Sequence, residues 1–419
     1  MAGLTRSLVA PALAVLLLFG SAARAQTVWQ RYSGNPVIPG PAGGGYAFSP
    51  SVLFDASANL YRMWFTARTY GETWSIYSAI SNNGVTWFAY VVDPVLQGGS
   101  AYFDSDGVVY CSVIREGTGY RMYYTGVRGC CGIALGLATS SDGIHWTKSS
   151  ANPVLSPSPA GWDSQGVSQP QVYFDGSTYF LYYEGKNGAY AQIGLATSVD
   201  GIRWIKAASN PILSNGGPGA WDETLASPGG LFVYGGTFYM LFTGQGASGP
   251  QLVGLATSRD GISWSEDPGN PVFTGGGVAN WDWSIRAGSV LQQNSTLKMW
   301  YSGDPVDDGG WATGYATSSF APAGVTPEIP VGLMLHQNAP NPFHRETRIA
   351  FELPRREFVT LKVFNIQGQA VATLVSEEMD PGAHSLTFAP AAWRLAGGVY
   401  FCRLTAGAGV QSTKMFLLR

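Results

Sequence analysis

One eleven-residue pattern recurs along this chain and limits its fold more than any other feature. It reads GLATSSDGIHW at 136–146, GLATSVDGIRW at 194–204 and GLATSRDGISW at 254–264, with looser copies at 78–87 and 314–318. Between copies come an Asn-Pro or Asp-Pro, usually a Trp-Asp pair, and then an aromatic strand. Equivalent positions of these strands lie 59 residues apart, at Thr66, Thr125, Glu184, Thr243 and Ser302. Such a period indicates repeated supersecondary units.

Each unit is typical of a propeller blade with four short β-strands. The apolar segments are short, aromatic and β-branched, Gly or Pro separates them, and no segment keeps a helical period. The last unit ends at 314–320 without its Asp-Gly-x-x-Trp segment, whereas Trp29 has no strands before it. We therefore predict an all-β chain with a five-bladed β-propeller over residues 26–320. The N-terminal strand at 27–32 would complete the last blade and close the ring.

The two ends of the chain carry different signals. Residues 1–25 resemble a signal peptide, with Arg6 before an apolar run at 8–19 and an Ala-x-Ala site at 23–25. No later run is long and apolar enough to span a bilayer, so we expect a secreted, extracellular protein. A Pro-rich linker follows the propeller at 321–332, and residues 333–419 are expected to form a separate small β domain.

Composition excludes several classes of function. The formal net charge is −3, and no basic cluster suggests nucleic acid as a partner. Nothing has the spacing of a metal site, and no cofactor is predicted. Cys111 could form a disulfide with Cys130 or Cys131 in an oxidising compartment, or these cysteines could be small buried residues.

Candidate catalytic residues are those that break the repeat, because blades that share a site must contribute different groups to it. The repeated Asp142, Asp200 and Asp260 fit a structural role in Asp-Gly turns. The repeated Asp104, Asp163, Asp222 and Asp282 are interpreted as hydrogen-bonding devices between blades. Subtracting these leaves a short list of charged residues. The candidates for the site are Glu184, Asp106, Glu223 and Arg286, and Glu72, Asp304, Asp307 and Asp308 lie in loops of the same face.

Glu184 is the best single candidate, since it replaces Thr or Ser at the end of an aromatic strand. We expect partial burial to raise its pKa for general-acid catalysis. Asp106 or Glu223 would then act as base or nucleophile, and Arg286 would orient the substrate. The alternative is that Glu184 is a surface glutamate or one paired to an arginine.

Aromatic residues in or beside the loops of the same face are candidates for substrate binding, because aromatic rings stack on sugars. They are Trp74, Tyr190, Trp283 and Trp311. The alternative is that these rings pack between blades.

The order Asn-Pro-Val, Trp-Asp, Tyr-x-Met-Tyr-Tyr-x-Gly and Ala-Thr-Ser-x-Asp-Gly-x-x-Trp resembles the five-bladed glycosidase superfamily. That superfamily includes arabinanases, xylosidases, invertases and levansucrases, and related mannoside phosphorylases share the pattern. The resemblance implies an acidic base or nucleophile in the first blade and a Glu acid in the third. This chain has Ser49 and Gln169 at the matching positions, so both are expected to contact substrate without supplying charge.

The tail resembles the C-terminal sorting domain of type IX secretion substrates. The matching segments are NAPNPF at 338–343, VFNIQG at 363–368, GVYF at 398–401 and KMFLL at 414–418. The resemblance implies an immunoglobulin-like β-sandwich, the type IX secretion machinery as partner, and release or attachment at the bacterial outer surface.

Together these features predict a secreted, surface-associated protein with carbohydrate as its ligand. If the protein is an enzyme, the expected reaction is glycoside hydrolysis. The alternative is a non-catalytic glycan-binding or surface-display module that has lost the catalytic acids of the superfamily.

Overall fold

The structure is a computed structural model. It describes residues 28–41, 45–55, 58–68, 71–89, 93–99, 103–129, 131–188, 190–293, 295–306, 310–320, 333–353, 356–380, 382–393, 395–407 and 409–418. The predicted signal peptide and linker lie outside these residues. The described residues form two compact units, one within 26–321 and one within 322–419.

The first unit consists of antiparallel four-stranded sheets, which we number by sequence. The strands of the first unit are β1 (Trp29–Arg31), β2 (Tyr46–Asp55), β3 (Leu60–Arg68), β4 (Ser75–Ser81), β5 (Phe88–Ala89), β6 (Gly107–Glu116), β7 (Gly119–Arg128), β8 (Cys131–Ser140), β9 (Thr147–Lys148), β10 (Gly166–Phe174), β11 (Tyr179–Asn187), β12 (Tyr190–Ser198), β13 (Ile205–Lys206), β14 (Leu225–Tyr234), β15 (Thr237–Gln245), β16 (Gln251–Ser258), β17 (Trp264–Glu266), β18 (Ser284–Gln293), β19 (Thr296–Asp304) and β20 (Ala312–Ser319).

Consecutive strands form each sheet. Sheets 1 to 4 are β2–β5, β6–β9, β10–β13 and β14–β17, and sheet 5 is β18–β20 with β1 added beside β20. One parallel bridge between Ala191 and Leu225 also joins sheet 3 to sheet 4. The second strand of each sheet is the aromatic one, and its large side chains, among them Trp64, Tyr182 and Trp300, are fully buried. The core therefore lies between sheets.

The Asp-Gly turns are structural, as the sequence predicts. In the first complete copy, Asp142 Oδ1 accepts the backbone N–H groups of Ile144 and His145, at 2.8 and 2.9 Å. Gly143 has a φ of 78°, a left-handed conformation that glycine adopts without a steric penalty. These turns also fasten neighbouring sheets, because Trp64 Nε1 of sheet 1 donates to the Gly143 carbonyl of sheet 2 at 2.9 Å.

The same contact recurs at three further junctions. Tyr123 Oη donates to the Gly201 carbonyl, Tyr182 Oη to the Gly261 carbonyl and Trp300 Nε1 to the Gly84 carbonyl, each at 2.8 Å. The last of these links sheet 5 to sheet 1. In sheet 4 the equivalent residue is Leu241, which has no polar atom to donate, and sheet 5 has no Asp-Gly turn to receive one.

The repeated aspartates act within a sheet, not between blades as we expected. Asp163 Oδ2 accepts Tyr183 Oη of β11 at 3.2 Å and the Lys206 ammonium of β13 at 2.6 Å. The equivalent triads are Asp104 with Tyr124 and Lys148, and Asp282 with Tyr301 and Arg31. We call each of these triads an aspartate staple. Its aspartate lies in the segment just before the first strand and binds side chains of the second and fourth strands of the same sheet.

The second unit contains two sheets on a shared core. Its elements are β21 (Met334–Leu335), β22 (Thr347–Leu353), β23 (Glu357–Phe364), β24 (Ala370–Met379), β25 (Gly382–Phe388), a 3-10 turn (Pro390–Trp393), β26 (Gly398–Ala406) and β27 (Gly409–Leu417). One sheet has the order β21-β22-β25 and the other β24-β23-β26-β27. Phe351 of the first sheet and Val363 and Leu404 of the second share one buried cluster.

Two smaller findings bear on the predictions. Cys111 is a free thiol inside the first unit and does not form the disulfide considered above. Burial raises its pKa to about 12. The side chains of Cys130 and Cys131 lie outside the described residues. Within the part of the chain that the structure describes, no helix has the length and apolar character that a membrane crossing requires.

Candidate functional site

The site begins at a β-bulge in the first strand of each sheet. The pairing register shifts there, for example between Phe48 and Ser51 in sheet 1 and between Ser168 and Gln171 in sheet 3. Ser49, Tyr110 and Gln169 occupy the bulges of sheets 1 to 3 with φ values of 54°, 51° and 49°. A left-handed conformation is unfavourable for residues with a Cβ and often accompanies function. A bulge also redirects the side chain that it carries.

A hydrogen bond fixes most of these bulges to the neighbouring sheet. The backbone N–H of Tyr110 donates to Thr66 Oγ1 at 2.9 Å, and that of Gln169 to Thr125 Oγ1 at 3.1 Å. The N–H of Ala287 donates to Thr243 Oγ1 at 3.0 Å, and that of Ser49 to Ser302 Oγ at 2.8 Å. Four junctions between sheets therefore use one device, a hydroxyl at the end of the second strand.

The fifth junction replaces both partners of this device. Glu184 stands where the other sheets have Thr or Ser. The residue of sheet 4 that is equivalent to the N–H donors of the other junctions is Pro228, which has no N–H. The Glu184 carboxylate instead accepts Ser168 Oγ at 2.9 Å and Gln169 Nε2 at 2.8 Å, both from β10. The structure therefore places Glu184 beside Gln169, the residue that the sequence analysis singles out in the third repeat.

Glu184 is a buried carboxylate with a cationic partner. Its side chain is 1% exposed, and the ammonium of Lys186 lies 3.1 Å from its Oε1. Burial raises the pKa of Glu184, but the charges of Lys186 and Arg286 and the hydrogen bond from Ser168 outweigh burial, so the pKa is lowered. The raised pKa expected from the sequence is wrong, because burial alone was considered and the nearby cations were not.

A polar cavity of about 250 Å³ opens beside this carboxylate. Its lining residues are Tyr110, Gln169, Glu184, Lys186, Gly188, Tyr190, Ala191, Thr224, Leu225, Gln245, Gln251 and Arg286. Four of these, Gln169, Glu184, Tyr190 and Arg286, are residues that the sequence singles out. Arg286 is held in place because its Nε donates to Gln251 Oε1 at 2.5 Å and its Nη1 to Tyr110 Oη at 2.7 Å.

Sequence reasoning missed Lys186, Tyr110 and Gln251. Lys186 had a signal, since residues two apart on a strand share a face and Lys186 follows Glu184 by two. Tyr110 and Gln251 had none, because only the bulge geometry and the pairing of sheets bring them to one point.

An aromatic cluster borders the cavity. The Arg286 guanidinium lies 4.8 Å from the Trp311 ring centroid, and Phe48 packs against Trp311, Tyr110 and Trp74 with centroid distances of 5.8, 5.6 and 5.5 Å. The Trp74 ring also lies under the Arg68 guanidinium at 4.0 Å. Trp74 and Trp311 therefore pack against neighbouring side chains, as the alternative interpretation holds, and the Trp311 ring contacts the Arg286 guanidinium.

Four predicted residues lie outside the cavity lining and the aromatic cluster, and one of them, Ser49, is held at its bulge by Ser302. Asp106 Oδ2 accepts the N–H of Gly129 at 2.6 Å, and Gln165 in sheet 3 makes the equivalent bond to Gly188 at 3.0 Å. Glu223 Oε2 likewise accepts the N–H of Gly219 at 2.8 Å. Asp106, Glu223 and Trp283 are all missing from the cavity lining. The two acids brace loops, so the structure does not bring them to Glu184 as the expected base or nucleophile.

The charges of the cavity limit its chemistry. Among the described residues that line it, Glu184 is the single carboxylate, beside the cations Lys186 and Arg286. Glycoside hydrolysis by two carboxylates needs a second acid within about 5–10 Å. No group of three or more His, Cys, Asp or Glu side chains in the described ranges has the arrangement of a metal centre.

Comparison with known proteins gives two regions of similarity. Residues 109–213 match the profile of a family described as β-1,4-mannooligosaccharide phosphorylase, and residues 339–418 match a secretion system C-terminal sorting domain. An uncharacterised protein of Mycobacterium tuberculosis is 28% identical over 264 residues, which cover 59% of this chain and 84% of that protein.

Solved structures are similar to the first unit. A glycosyl hydrolase from Bacteroides ovatus matches with a TM-score of 0.56 at 16% identity, covering 72% of this chain and 96% of the other. The β-1,2-mannobiose phosphorylase of Listeria innocua matches with 0.55 at 14%, covering 70% and 96%. A thermostable family-43 glycoside hydrolase matches with 0.53 at 18%, covering 70% and 97%. At these identities the likeness shows the fold.

The comparisons confirm both resemblances drawn from the sequence. The chain combines an all-β region with the fold of propeller glycosidases and mannoside phosphorylases and a C-terminal region that resembles secretion-system sorting domains.

Proposed function

We propose that the protein is an exported carbohydrate-binding propeller whose cavity at Glu184 holds a sugar. The five four-stranded sheets are the blades, β1 closes the ring, and the second unit is an immunoglobulin-like sandwich that the type IX machinery recognises. Two features support closure: the pairing of β1 with β20 and the bond from Trp300 of sheet 5 to Gly84 of sheet 1.

The observation that carries the binding function is the lining of the cavity. Glutamine, tyrosine, lysine, arginine and one carboxylate converge there, and such groups donate to and accept from sugar hydroxyls. Tyr190 is 50% exposed, so its ring is available to stack on a sugar face. Because the matching family and several structural neighbours act on mannosides, β-mannosides are the first ligands to test.

The test is isothermal titration of the mature protein against a glycan panel that includes β-1,2- and β-1,4-mannobiose. We expect Arg286→Ala and Glu184→Gln to weaken binding of the hit by at least 10-fold, since each removes a charged contact from the cavity. Asp106→Asn is the matched control, because it removes a carboxylate that braces a loop outside the cavity. Unchanged affinity in both cavity variants would refute this site.

Cleavage of a glycoside with phosphate as the nucleophile is the second candidate. The reaction needs one proton donor for the leaving oxygen, and Lys186 and Arg286 are two cations that suit the phosphate oxyanion. Because the pKa of Glu184 is lowered, it would carry that proton below neutral pH, so the phosphate-dependent reaction is expected to be favoured by acid. The same panel is therefore incubated with and without inorganic phosphate, and sugar phosphates and free sugars are both measured. Binding without either product supports the binding function alone.

A further inference from the structure

In sheet 4 the position that holds the cation of the aspartate staple is occupied by a glutamate. The cation of the staple pairs with the Ala of the Gly-Leu-Ala-Thr-Ser strand, as shown by Lys148 with Ala138, Lys206 with Ala196 and Arg31 with Ala316. In sheet 4 the residue that pairs with Ala256 is Glu266. Glu266 therefore holds the register position at which the three other staples have an ammonium or a guanidinium.

The hydroxyl of the staple is missing from sheet 4 as well. Phe242 stands where Tyr124, Tyr183 and Tyr301 donate to the aspartate, as its pairing with Gly254 shows. Asp222 is 2% exposed, and its Oδ2 is buried without a hydrogen-bond partner among the described residues. This orphaned atom is the one that accepts the cation and the tyrosine in the other three staples.

More oxygen atoms border the same position. In sheet 3 the Lys206 ammonium also donates to the Ser156 carbonyl at 2.8 Å, and in sheet 5 Arg31 donates to the Thr274 carbonyl. Ser214 is the equivalent residue in sheet 4, because Leu213 bridges Ile193 as Leu155 bridges Leu135. Asn270 Nδ2 donates to Glu266 Oε2 at 3.4 Å. In sheet 3 the equivalent asparagine, Asn210, donates instead to the hydroxyl of Tyr183.

We propose that sheet 4 binds a hard divalent cation, such as Ca²⁺, where sheet 3 has the Lys206 ammonium, with Asp222 and Glu266 as ligands. Calcium takes six to eight oxygen ligands, and carboxylates, a backbone carbonyl and water are the usual set. A divalent ion would neutralise two carboxylates as lysine neutralises one. The site is distinct from the cavity at Glu184, so it does not depend on the proposed function.

The test is thermal unfolding of the full mature chain in EDTA and in increasing CaCl2, with isothermal titration of CaCl2 alone into metal-free protein. We expect the melting temperature of the first unit to rise by about 5 °C at saturating calcium. Glu266→Lys should raise the melting temperature in EDTA and remove the calcium response, because it places an ammonium beside Asp222 as Lys148 and Lys206 lie beside Asp104 and Asp163.

Two further variants make the result decisive. Asp222→Asn should also remove the calcium response, whereas Asp106→Asn, which removes an exposed carboxylate, should keep it. A wild-type protein that neither binds calcium nor melts higher with it would overturn the proposal. So would a calcium response that survives in both Glu266→Lys and Asp222→Asn. Stabilisation by acid without any effect of calcium would assign the two carboxylates to a shared proton and would equally overturn it.

Discussion

Glu184 occupies a strand end that a hydroxyl fills in the other four sheets. The exchange is paired with Pro228, which removes the N–H that a hydroxyl at position 184 would accept. The carboxylate is thereby left to Ser168, Gln169 and Lys186. One junction thus lacks the hydrogen bond found at the other four, and its carboxylate lines the cavity instead.

The first prediction concerns pH. Because the folded-state pKa of Glu184 is lowered, its ionised form stabilises the fold above its unfolded pKa of about 4.3, and this contribution is lost as pH falls through the folded pKa. Glu184→Gln should therefore destabilise the protein at pH 7, and its difference from wild type should shrink below about pH 4. Urea unfolding from pH 7 to pH 3 measures this, and a constant difference over that range would contradict it.

The second prediction restores the repeat. In Glu184→Thr/Pro228→Ala the introduced N–H can donate to the introduced hydroxyl, as at the other four junctions. We expect a gain of about 1 kcal/mol in the free energy of unfolding relative to Glu184→Thr alone. Glycan binding should be lost in both variants, because the carboxylate is absent. Equal stability of the two variants would show that the junction does not form this bond.

Part of the site was predictable because it breaks a repeat. Glu184, Gln169 and Arg286 differ from their counterparts in other sheets, so comparing one repeat with the next finds them. Asp106 differs as well, yet it braces a loop as Gln165 does. A difference from the repeat shows that a residue is unusual. Where its side chain points depends on bulges and turns, which the repeat pattern does not reveal.

The aspartate staple attaches the short fourth strand to the rest of its sheet. It links the approach to the first strand with the second and fourth strands through one carboxylate. The fourth strand is only two residues long in sheets 2 and 3, so few backbone hydrogen bonds hold it. The staple supplies an attachment that the short strand lacks.

The third prediction compares two staples. Asp163→Asn leaves the Lys206 ammonium without its carboxylate, and we expect a loss of about 2 kcal/mol in the free energy of unfolding. Asp222→Asn in EDTA should be neutral or stabilising, because its buried oxygen has no cation to lose. Denaturant midpoints of the two variants test this contrast. Equal destabilisation would mean that Asp222 has a cationic partner in the absence of metal.

Strand positions were predictable at this scale because the signals are local. The second-unit strand at Thr347–Leu353 has the bounds expected from its alternating pattern, and Asp-Gly turns hold tight geometry wherever the two residues occur. The staple was misassigned to contacts between blades. Its partners lie 20 and 43 residues from Asp163, and nothing in the local pattern names them.

For the whole molecule, the pairing of β1 with β20 is the contact that joins distant parts of the chain. Trp29 pairs with Ser318, and Arg31 reaches Asp282, 251 residues later. Repetition made the all-β architecture predictable, since the same unit returns five times. It also made β1 recognisable, because the fifth repeat lacks its last strand and the segment around Trp29 has no other strands of a repeat before it.

The fourth prediction removes this contact. Arg31→Ala leaves Asp282, which is 2% exposed, without its guanidinium, so we expect a loss of about 2 kcal/mol in the free energy of unfolding. Arg203→Ala is the matched control, because that side chain is 91% exposed and its contact with Asp200 is 3.8 Å long. If the two variants unfold at the same urea concentration, β1 does not hold sheet 5 in this way.

The position of β1 also sets the order in which the chain can mature. Strand β20 ends at Ser319, so sheet 5 cannot acquire its fourth strand until almost the whole first unit has been synthesised. A nascent chain that ends before β20 leaves the backbone of Trp29–Arg31 unpaired and keeps the edge of β1 open. An open strand edge is a site at which another chain can add, so we expect chains that lack β20 to self-associate more readily than the finished protein.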